Sequence, residues 1–347
     1  MENYELTDRE KSILRYVIHQ FILTANPVGS RNIAKKYDVG LSPASIRNIM
    51  SDLEETGFLN HPHTSAGRVP TDKGYRFYVD SLMDPPILDI IQKDMIVQGL
   101  ESNKGETEDL LKLTSVILSN LTNQLALVTY PKFELAVLQK IQLVQLSSKR
   151  ILVVVSVESG LVKTITLELT IEIKQENLQN VQRFLNERLA GLKFAEIRNT
   201  IKERIKDYSS DDAKPIIRVF LDSVDQIFAD NKLQEKSYLA GTKNILTQPE
   251  FEDHEQLQGV IELIEDKDII IHLMDTKRSG NVDNVSITIG SENIDTKFSD
   301  YSFITKEYKV GEATGTLGII GPKRMEYSKI VAAVVYIGEL LSEELKK

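Results

Sequence analysis

Apolar residues near the amino terminus recur at the three- and four-residue spacing of a helix, with Ile13, Leu14, Val17, Ile18, Phe21 and Ile22 on one stripe. Thr7 and Glu10 precede them in the spacing of a capping box, and Asn26-Pro27 ends the run. Ser30 is placed to cap a short second helix, SRNIAKKY, which closes at DVGL. Ser42 caps a third, with Pro43 at its first position and Ile46, Ile49, Met50 and Leu53 along one face until Gly57. Two short helices joined by about four residues that include glycine make the helix-turn-helix pattern. The stretch FLNHPHTSAGRVPT then reads as a short strand, a turn near Ser65 to Gly67, a return through Arg68-Val69, and a helix capped by Thr71. Helix-turn-helix followed by hairpin predicts a winged helix, bounded by Pro85-Pro86.

Ile87 to Leu127 keeps helical spacing, broken around SNKGE. From Glu134 the period changes: ELAVLQKIQLVQL alternates, ILVVVSV is a buried-strand run, and Val162 to Leu169 alternates again, which predicts a mostly antiparallel sheet. Helical spacing returns at Glu176 and runs, with interruptions, to Phe228. Strand patterns resume at Asp268–Met274, Val285–Ile289, Phe298–Thr305 and Thr316–Ile320, before a last helix from Met325 to Leu345. Sheet, helical block and sheet in that order predict an α+β multidomain chain in which residues near 173–249 are inserted into an α/β domain.

With 347 residues, 41% of them apolar, the chain can fill cores for about two or three domains. It has no cysteine, which excludes disulfides, thiolate nucleophiles, zinc ribbons and iron–sulfur clusters. No run approaches the roughly 18 to 20 apolar residues of a membrane span, and MENYELTDRE is acidic where a signal peptide is basic. The expected address is the cytoplasm, without a membrane partner. The net charge of −9 is unevenly spread: residues 1–80 hold ten Lys+Arg and ten Asp+Glu, so the whole excess lies beyond them. A near-neutral head on an acidic body suits a DNA-reading module attached to something that does not touch DNA.

If Ile46, Ile49, Met50 and Leu53 face the core, then Ala44, Ser45, Arg47, Asn48 and Ser51 face outward or sideways, where small and polar groups reach base edges and phosphates. With Arg31 and Ser42 they form the candidate DNA-contacting set on the helices. The hairpin adds His61, His63, Thr64, Ser65 and Arg68. His61 and His63 share a strand face but have no nearby cysteine and few carboxylates, so phosphate proximity fits them better than a metal. Arg68, beside Gly67 at the expected tip, is the stronger candidate for a minor-groove or phosphate contact. Lys73 and Arg76 lie opposite the Tyr75, Tyr78, Val79 and Leu82 stripe, where phosphate contact and plain solvation both fit. GEATGTLGIIGPKRMEYSK carries glycines before a helix, yet matches neither dinucleotide nor P-loop spacing. No catalytic constellation stands out, so no enzyme activity, cofactor or metal is expected.

SAGRVPTDKGYRFYVD, preceded by LSPASIRNIMSDLEETGFL and followed later by GTKNILTQPEF and IGPKRMEY, resembles the heat-inducible transcription repressor family, HrcA, from about Leu6 to the last helix. The resemblance implies a winged helix-turn-helix in residues 1–84, a GAF-like α/β domain in 85–172 and 250–347 with its connecting helices, and an inserted helical dimerisation domain in 173–249. It further implies a homodimer that represses chaperone operons through an inverted-repeat operator of the CIRCE type, is released on heat stress, and is kept active by a GroEL-type chaperonin. A winged-helix regulator of another regulon, controlled by a small effector in the GAF-like domain, is the alternative.

Overall fold

The computed structural model describes the chain except residues 1–4, 63–66, 102–106, 134–135, 170–171, 173, 209–213, 230–235, 252–253, 266–283, 294 and 347. The architecture is mixed α and β. Helix α1 (Asp8–Thr24) opens with the expected capping box: Thr7 Oγ1 accepts from the Glu10 amide while the Glu10 carboxylate accepts from the Thr7 amide. Helix α2 (Ser30–Lys36) departs from expectation, because Gly29 is its N-cap and Ser30 its first residue, with no side-chain cap. In α3 (Pro43–Glu55), Ser42 Oγ accepts from Ser45 N at 3.1 Å, and Ile46, Met50 and Leu53 are buried, with Ile49 half-buried at the edge of the stripe.

Strands β1 (Leu59–Asn60) and β2 (Val69–Pro70) pair antiparallel, Leu59 opposite Pro70 and Asn60 opposite Val69. The returning strand is pinned on its other side too, since Arg68 and Val28 exchange both backbone hydrogen bonds at 2.9 Å. A Cβ on Gly67 would press into Pro27, so the close approach requires glycine there. Thr71 Oγ1 caps α4 (Asp72–Phe77), which continues into a π-helical turn, Tyr78–Leu82. These elements make up the head.

In the body, α5 (Ile90–Glu101) and α6 (Thr107–Thr122) lead to β3 (Leu125–Thr129), followed by β4 (Leu138–Ser147), β5 (Arg150–Val157) and β6 (Val162–Glu168). Helices α7 (Gln175–Leu189), α8 (Phe194–Arg204), α9 (Lys214–Asp222) and α10 (Val224–Phe228) come next, then β7 (Ser237–Ala240), α11 (Thr242–Leu246) and α12 (His254–Glu265). Strands β8 (Val285–Ile289), β9 (Tyr301–Val310) and β10 (Ala313–Pro322) precede the C-terminal helix, Tyr327–Glu344. The strand expected at Asp268–Met274 lies outside the described residues.

The strands separate into two body sheets. Five form one antiparallel sheet in the order β7-β3-β10-β9-β8, and β4-β5-β6 form another. Strands β4 to β6 side with α7 to α10, while β3 and β7, which flank that whole segment in sequence, pair with each other. Side chains alternate between the faces of the larger sheet. Ala126, Val128, Leu317 and Ile319 join the core beneath the C-terminal helix, while Leu125, Leu127, Phe303 and Ile320 join a second cluster with Phe251, Val260 and Phe298. In the smaller sheet β5 alternates buried with half-buried positions rather than being buried throughout. The outer edge of β4 is covered by α7, where Asn186 exchanges hydrogen bonds at 2.8 Å with the Ile141 amide and carbonyl, and Gln182 accepts from Leu143 N at 2.9 Å. Two side-chain amides one helical turn apart thus stand in for a neighbouring strand.

Candidate nucleic-acid interface

Helix α3 packs its apolar stripe on α1 and α2 and turns Ser42, Ala44, Ser45, Arg47 and Asn48 outward, all of them exposed, with Ser51 half-buried at the margin. Arg31 on α2 is exposed as well, and so are Lys35 and Lys36, which the sequence patterning did not single out. Among the described residues the Arg31, Arg47 and Asn48 side chains have no hydrogen-bond or ion-pair partner, which leaves their donors available. Ser45, by contrast, shares its hydroxyl with Ser42 at 3.0 Å. The face is therefore polar, short of acidic groups, and built on a helix whose start is fixed by its cap.

Three of the candidate contacts have partners within the chain. Arg68 is not at a free tip: its Nη1 donates to His61 Nδ1 at 2.7 Å, and its Nε lies 2.7 Å from a Glu54 carboxylate oxygen. That Nε makes no hydrogen bond in spite of the short separation, so the Glu54 contact is an attraction of charges rather than an aligned bond. Lys73 donates to the Thr56 carbonyl at 2.8 Å, at the end of α3, and lies 4.2 Å over the Phe58 ring. Arg76 points into the body, where it holds the carboxylate of Glu292 with two nitrogens and donates to the Ile287 carbonyl at 2.7 Å. His61 is exposed on the hairpin, and His63, Thr64 and Ser65 lie outside the described residues. The physical reason for all three placements is the same. A long cation on an amphipathic surface takes a carboxylate or carbonyl that the fold brings near, and those acceptors are remote in sequence or on the next element.

The head meets the body through further charge. Asp72 accepts from the Ser291 amide at 2.9 Å and lies 3.0 Å from Lys323 Nζ. Burial acts to raise its pKa, but the Ser291 hydrogen bonds and the Lys323 ammonium outweigh it and hold the carboxyl below its ordinary value. The paired Glu292 raises the pKa of Arg76 against the opposing effect of burial. Tyr75 is buried at this junction beside Tyr327, ring centroids 6.1 Å apart, and burial pushes its phenol well above the ordinary value. Among the described residues no group of three His, Cys, Asp or Glu could hold a metal, and no helix is long and apolar enough to cross a membrane.

A family model described as the HrcA protein C terminal domain matches residues 108–331. The chain is 39% identical over 351 residues to the heat-inducible transcription repressor HrcA of Chlorobium phaeobacteroides (strain BS1), with 99% of each covered. It is 40% identical over 347 residues to that of Chlorobium chlorochromatii (strain CaD3), again with 99% of each covered. Among solved structures, one described as the crystal structure of a hypothetical protein is similar at a TM-score of 0.59 and 22% identity, covering 99% of both chains, a likeness of fold alone.

Proposed function

Because the chain belongs to the HrcA family of heat-inducible transcription repressors, we propose that it represses by laying the exposed face of α3 into the major groove of an inverted-repeat, CIRCE-type operator, as a homodimer. The observation that carries the reading is the outward set Ser42, Ala44, Ser45, Arg47 and Asn48 on a capped helix, with the α2 cations beside it. On this reading α1 to α4 with β1 and β2 are a winged helix-turn-helix. The hairpin then serves as a wing whose base is tied to α3 through Arg68.

The larger sheet and its helices would be the GAF-like domain. The insertion that joins two copies would run from the end of β3 to the start of β7, taking in β4 to β6 with α7 to α10, because β3 and β7 are adjacent strands of one sheet. Two-fold symmetry of the dimer would match that of the operator. Heat would act on the body rather than on the DNA face, by loosening the geometry that holds two heads apart. A GroEL-type chaperonin would keep the repressor active; Ile87, Ile90, Ile91 and Met95, each at least 68% exposed around the start of α5, are apolar side chains such a partner could hold. The site of action would be the cytoplasm, and the role that of a regulator rather than an enzyme.

The test is a titration of the full chain onto inverted-repeat and random duplexes across salt and temperature, with and without chaperonin. Binding to the repeat should be at least about a thousandfold tighter than to random duplex and fall steeply on heating. Equal affinity for the two duplexes would refute the reading.

A further inference from the structure

Head and body are joined by two arginines that cross the junction in opposite directions. From the head, Arg76 on α4 reaches Glu292 and the Ile287 carbonyl of the body, with Nε donating to Glu292 Oε1 at 2.7 Å. From the body, Arg324 reaches back to the head and donates from Nη1 to the Ile22 carbonyl, in the last turn of α1, at 2.7 Å. That turn has no basic residue of its own, so the body supplies the cation that the carboxyl end of a helix favours. Glu250 and Gln248 hold Arg324 from behind, and its side chain is only 13% exposed.

One such link would be a pivot. Two of them, on different helices of the head, remove the rotation a pivot allows. Between them lie the Tyr75–Tyr327 contact and the Asp72–Lys323 ion pair, and Ser328 Oγ donates to the Asp84 carbonyl at 3.0 Å where the head leaves for the body. Gly290 has a φ of +56°, and any Cβ there would collide with the Asp72 carboxylate, so the body backbone itself is shaped to admit the head. None of these contacts involves α3, whose outward residues stay exposed while the head is clasped. The junction orients the reading face without covering it.

We infer that Arg76 and Arg324 are positioning residues for operator recognition, which fix each head in the orientation that lets two copies meet both halves of an inverted repeat; the inference rests on the DNA-reading role of α3. Binding of the second half-site gains from the first only if the geometry allows both at once, so freeing the heads should remove that gain. Affinity for an isolated half-site depends on α3 and its neighbours alone.

The experiment first selects a preferred inverted repeat from random duplexes with the full chain. Binding is then measured on that repeat, on versions with its halves moved apart in single base-pair steps, and on one half alone. Arg76→Ala and Arg324→Ala should each lose roughly a hundredfold on the full repeat, leave the single half unchanged and flatten the dependence on spacing. The exchanged pair Arg76→Glu with Glu292→Arg should restore the spacing preference. Equal losses on half and full sites would overturn the inference, as would an unaltered spacing profile in the alanine variants or tighter binding of the full repeat. Failure of the unaltered chain to select any inverted repeat would instead strike the DNA-reading role itself.

Discussion

Arg68 of the hairpin faces Glu54 of α3, its Nε 2.7 Å from the carboxylate, so the base of the hairpin and the helix beside it are held by opposite charges with little exposure. The pair joins two elements that the backbone links only through a turn. Arg68→Ala should therefore lower the stability of the head by about 1 kcal/mol, read as a lower melting midpoint, and leave the salt slope of DNA binding unchanged. A slope reduced by about one unit with an unaltered midpoint would return Arg68 to the phosphate-contacting role its sequence position suggests.

Arg47 is exposed on α3 with no side-chain partner among the described residues. Arg47→Ala should cost roughly 1–3 kcal/mol on the operator and relax base preference at one position, as expected for loss of a bidentate guanine contact. Competition binding against single-base variants checks this. Equal losses on operator and random duplex would make Arg47 a backbone contact.

How far the sequence reached follows from how local each signal is. α1, α3 and α4 announce themselves because cap and stripe lie within one or two turns, as in Ser42 with Ile46, Met50 and Leu53. β3 does not: Leu125 to Thr129 is an inner strand of its sheet, buried at all five positions, so it shows no alternation and merges with the helical pattern before it. β7 is four residues long, too short for any period to register. The outward face of α3 was legible as the complement of its core stripe. The fate of Arg76 was not, since Glu292 stands 216 residues away and no local pattern announces it.

Tyr75 carries a buried hydroxyl that finds no hydrogen-bond partner among the described residues. Tyr75→Phe removes that polar group and keeps the ring against Tyr327, so the melting midpoint should stay level or rise. A loss above about 1 kcal/mol would show that the hydroxyl is satisfied in solution.

Asp72 makes head docking sensitive to acid. Its folded pKa is below the ordinary value, so its contribution is complete above the unfolded carboxyl range, near pH 4, and disappears as pH falls through the lowered folded value. Asp72→Asn should melt below the unaltered chain at neutral pH, and the two should converge as the pH drops from about 4 downward. A gap that stays constant from neutral pH into that acid range would mean the charge on Asp72 contributes nothing.

The most direct measurement is a hydroxyl-radical footprint of the full chain on its selected operator. Two α3 faces reading one duplex should protect two symmetric patches whose centres lie about one helical turn, or a whole number of turns, apart, and Arg47→Ala should weaken both together. A single unsymmetrical patch, or protection that persists when the exposed residues of α3 are replaced, would contradict the account.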